Sequence, residues 1–406
     1  MRGPVFGLAA FLLLAGAISA CQERLTAPAE CPELCPGGNV NAFDTVLTTL
    51  PGTDSSVAGY VSRGTGVSVL VSNGFPDKDA RALYRFAARD DSVEVRDTLR
   101  GYTVDSVLIA LTLLGRDTLV DGLKVYLFRL PSTLTVDSNT TFAAVEPELN
   151  LANIVDSILV PDTLNSGSIQ TTLRGADLAK VDLPVGTGGV LSIGVAIAAP
   201  TPTGVRLGSL AGGTGASYAS YVTLDIPDTG AVRQPVLGRG TAFNTFVTST
   251  SLEPDTTLIT LGGEPSARAL LRFDLPPRLE DSATVVRATL ELVPVVPIAG
   301  VPRDPALLEV RAILADLGAK SPVTTDEQFI SGDTLSAGSA DTVRLDMTRI
   351  VQLWQASDDR PDAVSLSLLP EAATFTRAVF GSTRNPASGA ARLRITYLLS
   401  FPFENP

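Results

Sequence analysis

The closing run Arg392-Leu393-Arg394-Ile395-Thr396-Tyr397 alternates strictly, with Leu393, Ile395 and Tyr397 on one side and Arg392, Arg394 and Thr396 on the other. A period of two is the signature of a half-buried strand. Short runs of this kind recur along the chain, divided by Gly, Pro, Asp, Asn and Ser, and no long helical period competes with them. Val107–Leu113 and Val190–Ile197 are more uniformly apolar, as central strands covered on both faces are. Many strands at close spacing point to an all-β sandwich or barrel. The chain has 406 residues, of which 45% are hydrophobic, enough for two domains with a core each.

The strand pattern repeats. Ala80-Arg81-Ala82-Leu83-Tyr84-Arg85-Phe86 returns as Ala267-Arg268-Ala269-Leu270-Leu271-Arg272-Phe273. Leu108–Leu113 parallels Arg287–Leu292, and Leu123–Leu127 parallels Leu308–Ala312. Val205–Ser209 matches Ala378–Ser382, and Tyr221–Leu224 matches Arg392–Ile395. Each match is weak alone, but their common order makes a duplication the better account. The expected layout is a first sandwich over 42–226, a linker at 227–238 and a second sandwich over 239–400. The linker rests on the turn residues and weak periodicity of Pro227–Pro235.

The first twenty residues have the layout of a signal peptide: Arg2, then a short apolar stretch from Phe6 to Ala17. That stretch is too short to span a bilayer. Ile18-Ser19-Ala20-Cys21 resembles the bacterial lipobox, in which small residues precede a cysteine that receives lipid before cleavage. The resemblance implies lipidation at Cys21, with 1–20 removed and 21–41 left as a tether. Gln22 is not the aspartate associated with inner-membrane retention, so the expected address is the outer membrane. Cys31 and Cys35 then remain as an even pair and are candidates for a small local disulfide. Two thiolates without further ligands leave zinc half-coordinated, so no metal is assigned to them.

The second copy carries a more specific succession. Ala269-Leu270-Leu271-Arg272-Phe273-Asp274-Leu275-Pro276 precedes Ala283–Leu292. Then come Leu345-Asp346-Met347-Thr348-Arg349-Ile350-Val351-Gln352-Leu353-Trp354, Asp362–Leu368 and Ala391–Tyr397. This resembles the DNRLRE-type domain family, bacterial extracellular jelly-roll modules, some attached to polysaccharide lyases and regarded as carbohydrate-binding. It covers about Thr241 to Tyr397 and fits the first copy loosely, since Ala87 stands where the second copy has Asp274. The resemblance implies two tandem jelly-roll-like β-sandwiches and a polysaccharide ligand. Asp346 or Thr348 is placed to cap one helical turn, which puts Ile350, Leu353 and Trp354 on one face. Trp354, the single tryptophan, reads as a core plug rather than a sugar platform.

Composition excludes much chemistry. With no histidine, Ser-His-Asp and Cys-His catalysis and imidazole-held zinc are absent. The formal charge of −12 disfavours nucleic acid as a partner. Arginine supplies nearly all the positive charge. It reads either as clamps for anions or as genomic base composition, and its scatter along the chain favours the second. Gly212-Gly213-Thr214-Gly215 lacks the context of a phosphate loop and reads as a hairpin loop. Asp137-Ser138-Asn139 and Asp90-Asp91 offer oxygens for structural calcium but fit no defined loop, so no cofactor is assigned. Glu146/Glu148 and Asp358/Asp359 are acidic pairs, yet glycosidase chemistry needs acids converging across a cleft. No catalytic residue is assigned. The expected function is a non-catalytic, lipid-anchored envelope protein that binds polysaccharide or acts as a scaffold. The alternatives are a structural or adhesive protein contacting other envelope proteins, and a carboxylate-dependent polysaccharide-cleaving enzyme.

Overall fold

The computed structural model describes residues 42–95, 97–181, 190–226, 231–233, 235–249, 255–264, 266–357 and 359–399. The signal segment, the tether, Cys21, Cys31 and Cys35 lie outside them, as do 227–230 and 234 of the expected linker. The described chain is all-β, and its α-helices are the short Phe142–Val145, Pro277–Asp281 and Thr348–Gln355.

In the C-terminal half, one sheet runs in the order Thr325–Leu335, Ala306–Ile313, Ala363–Leu369, Ser266–Arg272, Ile259–Gly263, Arg377–Phe380. The other runs Ala42–Thr48, Arg392–Leu399, Ala283–Leu292, Val343–Asp346. Alternate residues of both turn inward, among them Leu271, Val310 and Leu366 from the first and Leu290, Leu345 and Ile395 from the second. The N-terminal half repeats the strand order. Ala80–Phe86 pairs with Ser192–Ala198, which pairs with Lys124–Arg129 and then Ile154–Leu159. Thr103–Arg116 lies between Gly167–Arg174 and Ser217–Ile226, as Ala283–Leu292 lies between Val343–Asp346 and Arg392–Leu399. Its core gathers Val69, Tyr84, Phe86, Ile109, Val195 and Phe246.

The strand that completes each half comes from the other half of the sequence. Val236–Thr248 pairs first with Ser217–Tyr221 and then with Ala80–Phe86, joining the two layers of the N-terminal half. Reciprocally, Ala42–Thr48 lies beside Arg392–Leu399, and Ser55–Ala58 pairs with Ala267–Leu270 in the C-terminal half. The registers coincide: Arg81 faces Val247 and Ala82 faces Phe246, as Arg268 faces Val57 and Ala269 faces Ser56. The boundaries 42–226 and 239–400 are therefore corrected. Residues 42–58 belong with the C-terminal half and 236–248 with the N-terminal half. The expected linker also contains Ala231–Arg233, paired with Leu224–Ile226. Periodicity identifies a strand but not the sheet that receives it.

Buried polar contacts fix the exchange. Asp54 is 1% exposed and accepts from the Thr383 backbone N–H at 2.8 Å and its hydroxyl at 2.6 Å. Leu50 donates its N–H to the Arg272 carbonyl at 2.8 Å. Between the halves, Arg206 makes a two-pronged contact with buried Asp304 at 2.6 and 2.5 Å. Lys78 Nζ donates to the Glu264 carbonyl at 3.0 Å. Burial lowers the Lys78 pKa, partly opposed by Glu264, and Arg63 and Arg377 lower it further. Phe375, from the C-terminal half, packs into the N-terminal core against Gly204, where a Cβ would come within 2.6 Å of the ring.

Two smaller expectations change. Gly212–Gly215 is not a hairpin loop. Thr203–Gly208 and Ser217–Ile226 both run antiparallel to Thr103–Arg116, along successive stretches of it, so the loop is an excursion within one line of pairing. Gly208 permits it, because a Cβ there would meet the Thr214 carbonyl oxygen at 1.9 Å. The Leu123–Leu127 match to Leu308–Ala312 is displaced by two residues: Tyr126 faces Ala196 as Glu309 faces Ser367, which makes Glu309 its counterpart. An even displacement preserves the buried face, which is why alternation cannot reject it.

Candidate functional site

Strand pairing gathers arginines that are distant in sequence. Glu291 faces Arg344 on one side and Arg392 on the other, while Thr289 faces Asp346 and Arg394. Arg287 faces Thr396, whose hydroxyl donates to Asp44 at 2.6 Å. The inward partners Leu290, Leu345, Leu393 and Ile395 are fully buried, which forces the intervening side chains outward. Arg349 extends the row from the start of the helix Thr348–Gln355 and lies 5.4 Å from the Phe329 ring. Arg287, Arg344, Arg349, Arg392 and Arg394 are all exposed.

Only part of this charge is neutralised internally. Glu291 lies 3.6 Å from Arg344 and 3.7 Å from Arg394, distances that leave both guanidinium groups free to rotate onto a ligand. Among the described residues, Arg287 and Arg392 have no salt-bridge partner. Asp346 is occupied by Thr348, accepting from its hydroxyl at 2.6 Å and its backbone N–H at 2.9 Å. These bonds, with Arg287 nearby, hold its carboxyl below the usual range. A shallow groove of about 680 Å³ runs between Arg287, Thr289, Arg344 and Arg349. A face with five arginines on a chain of charge −12 is a local reversal of field suited to carboxylates or sulfates. Its trace in the sequence was the Arg392-x-Arg394 alternation, which marks a strand without naming the arginines beside it.

Other singled-out residues have structural roles. Trp354 is 4% exposed and packs beside Phe273 at 6.1 Å between ring centroids, inside the C-terminal core. Met347 is the N-cap residue and makes no side-chain cap bond, while Asp346 just before it accepts from the Thr348 N–H; the buried side is Ile350, Val351 and Trp354, with Leu353, expected on that face, only partly buried. Glu146 holds Arg81 at 3.0 and 3.1 Å, while Glu148 accepts from Asn153, so the two acids point to different tasks. Asp358 lies outside the described residues. Asp137 accepts from the Asn139 N–H in a local turn, and Asp90 pairs with Arg239 at 2.5 Å. Among the described residues no group of three or more metal-binding side chains converges. Asp362 is pushed up to about 6 by burial, with Glu280 and Asp274 adding repulsion, while the Leu275 N–H opposes the rise.

No family model matches the chain, and no curated protein matches it.

Proposed function

We infer that this is a non-catalytic cell-envelope protein, lipid-anchored through Cys21, that binds extracellular polysaccharide through the arginine face of its C-terminal half. The observation that carries the reading is the five-arginine row. It favours an acidic polymer, because guanidinium groups pair with carboxylate and sulfate in two-pronged geometry. The resemblance to DNRLRE-type modules, with their jelly-roll architecture, belongs to the same proposal.

Affinity electrophoresis of the full-length protein in gels containing polygalacturonate, chondroitin sulfate or neutral dextran tests it. Retardation by the acidic polymers, weakened by salt and absent in Arg344→Ser/Arg392→Ser/Arg394→Ser, is the expected result. Equal mobility in all gels, or undiminished retardation of the triple variant, overturns it. Cys21→Ala should release the protein from membranes, and unchanged fractionation sinks the anchor. New reducing ends or unsaturated sugars in the gel polymer would restore the enzyme reading.

One observation favours the runner-up, a contact with other envelope proteins. Tyr126, Leu149, Leu151 and Ile154 form an apolar shelf on the N-terminal half, with Leu151 86% exposed. Crosslinked protein partners that Leu151→Asp abolishes, with no retention on any polymer, would support it.

A further inference from the structure

The duplicated halves differ at one equivalent place in a way that exposes a second site. Arg81 and Arg268 occupy matching positions on matching strands, and each is held by a two-pronged carboxylate. Glu146 binds Arg81, and Glu371 binds Arg268 at 2.6 and 2.7 Å. Around this common pair the neighbours have diverged together. Gly194 and Ala196 in the N-terminal half stand where Ser365 and Ser367 stand in the other, and Phe128 and Tyr126 stand where Arg311 and Glu309 stand. In the N-terminal half Leu149 closes over Gly194, only 2.7 Å from where a Cβ would lie. In the C-terminal half the same place is a partly open cavity of about 90 Å³.

The chemistry of that cavity is narrow. Arg268 is paired with Glu371 and Arg311 with Glu309, so the lining carries two positive and two negative charges and has no net pull on an ion. Ser365 and Ser367 are 4% and 9% exposed, and among the described residues neither hydroxyl hydrogen-bonds to another protein group. Neither hydroxyl is among the buried polar atoms sealed off without a partner, so both open onto the cavity rather than into the sheet. The N-terminal half folds with Gly and Ala at these positions, so the fold does not require the serines. Adjacent sugar hydroxyls each donate and accept, which matches serine hydroxyls set between carboxylate oxygens and guanidinium N–H groups.

We propose that this cavity is a subsite for a neutral sugar, taking two vicinal hydroxyls of a pyranose between Ser365, Ser367 and the two ion pairs. It lies on a different sheet from the arginine face and does not rest on it. The Arg268 guanidinium also lies 5.3 Å from the Tyr60 ring centroid, a cation–π contact that adds to the Glu371 pair in restraining it.

Saturation-transfer NMR on the full-length protein, with the methyl glycosides of glucose, galactose and mannose as probes, tests the proposal. A saturable signal from at least one glycoside is expected. Ser367→Leu, which fills the cavity, should abolish it, and Ser365→Gly/Ser367→Ala should weaken it about tenfold. Ser365→Gly/Ser367→Ala should keep the wild-type melting temperature within a few degrees, as the N-terminal half folds with Gly and Ala at these places, and the Ser367→Leu result is read on protein whose thermal unfolding shows it folded. Arg344→Ser/Arg392→Ser/Arg394→Ser should bind the glycoside normally, so loss of acidic-polymer binding and loss of this site are separate results. No saturable signal from any of the three up to about 50 mM, a concentration at which even millimolar affinity saturates, overturns the proposal. A signal that survives Ser367→Leu in a folded variant does the same.

Discussion

The outer faces of the two halves have diverged although the strands beneath them are ordered alike. Over Ser192–Ala198 the face keeps the Arg81–Glu146 pair but is otherwise largely apolar and capped by Leu149. Over Ala363–Leu369 it is polar, charge-paired and open. Both sheets bury the same inward stripe, Ala82 and Val195 in one, Ala269 and Leu366 in the other. The inward stripe is constrained by close packing against the opposite layer, where a methylene of error costs stability. The outward stripe meets only a loop or solvent, so substitutions there are inexpensive and chemistry can change. Function is to be sought where the copies differ, and stability where they agree.

The strand exchange yields the largest expected effect. Residues 42–226 alone lack Val236–Thr248, and 239–400 alone lack Ala42–Ala58, so neither fragment should fold. Dispersed NMR spectra from either fragment would show that each half is self-sufficient and break the account. Phe246→Ala, removing a fully buried ring that the exchanged strand carries into the N-terminal core, should cost about 3–5 kcal/mol in denaturant unfolding.

The equivalent faces can be tested against each other directly. Gly194→Ser pushes against Leu149 and should cost about 1–3 kcal/mol. The reverse exchange, Ser365→Gly, removes a hydroxyl that opens onto the cavity and adds backbone freedom, and should fall within about 1 kcal/mol of neutral. Equal costs for the two would mean that Leu149 does not distinguish the faces.

A smaller effect follows from pH. Asp362 titrates near 6 in the folded protein, above its unfolded value of about 3.9. The folded state therefore holds the proton more tightly, and this group's contribution to stability declines as pH rises from about 4 to about 6. Asp362→Asn keeps an acceptor for the Leu275 N–H and should remove that decline, with a gain near pH 7 of about 1 kcal/mol after solvent screening. A variant less stable than wild type at pH 7, by thermal unfolding at matched ionic strength, would contradict the burial penalty. Smallest of all, Arg392→Ser and Arg394→Ser should each shift stability by less than about 0.5 kcal/mol, since exposed pairs contribute little. The arginine face would then be dispensable to the fold.

Much of the fold was legible because alternation is a direct record of burial. Arg392–Tyr397 is a strand with the expected side buried, and the Ala80–Phe86 and Ala267–Phe273 runs occupy the same place in their sheets. The helix at Thr348–Gln355 and the core position of Trp354 were readable from the Asp346 and Thr348 pair and a helical spacing. The candidate sites were much less so. The arginine face draws on three strands and a helix, and the neutral cavity on four strands and a loop. No local pattern records which strand lies beside which.

The sequence by itself determined that the chain forms strands, which side of each is buried, and that one strand order occurs twice. These follow from local sterics and from a period of two, both properties of a short segment. Only the tertiary structure decided that each half borrows its completing strand from the other, that scattered arginines share one face, and that Ser365 and Ser367 line a cavity. Those depend on pairing partners and on register, which shift by even numbers without disturbing the buried pattern, and only packing in three dimensions selects among them.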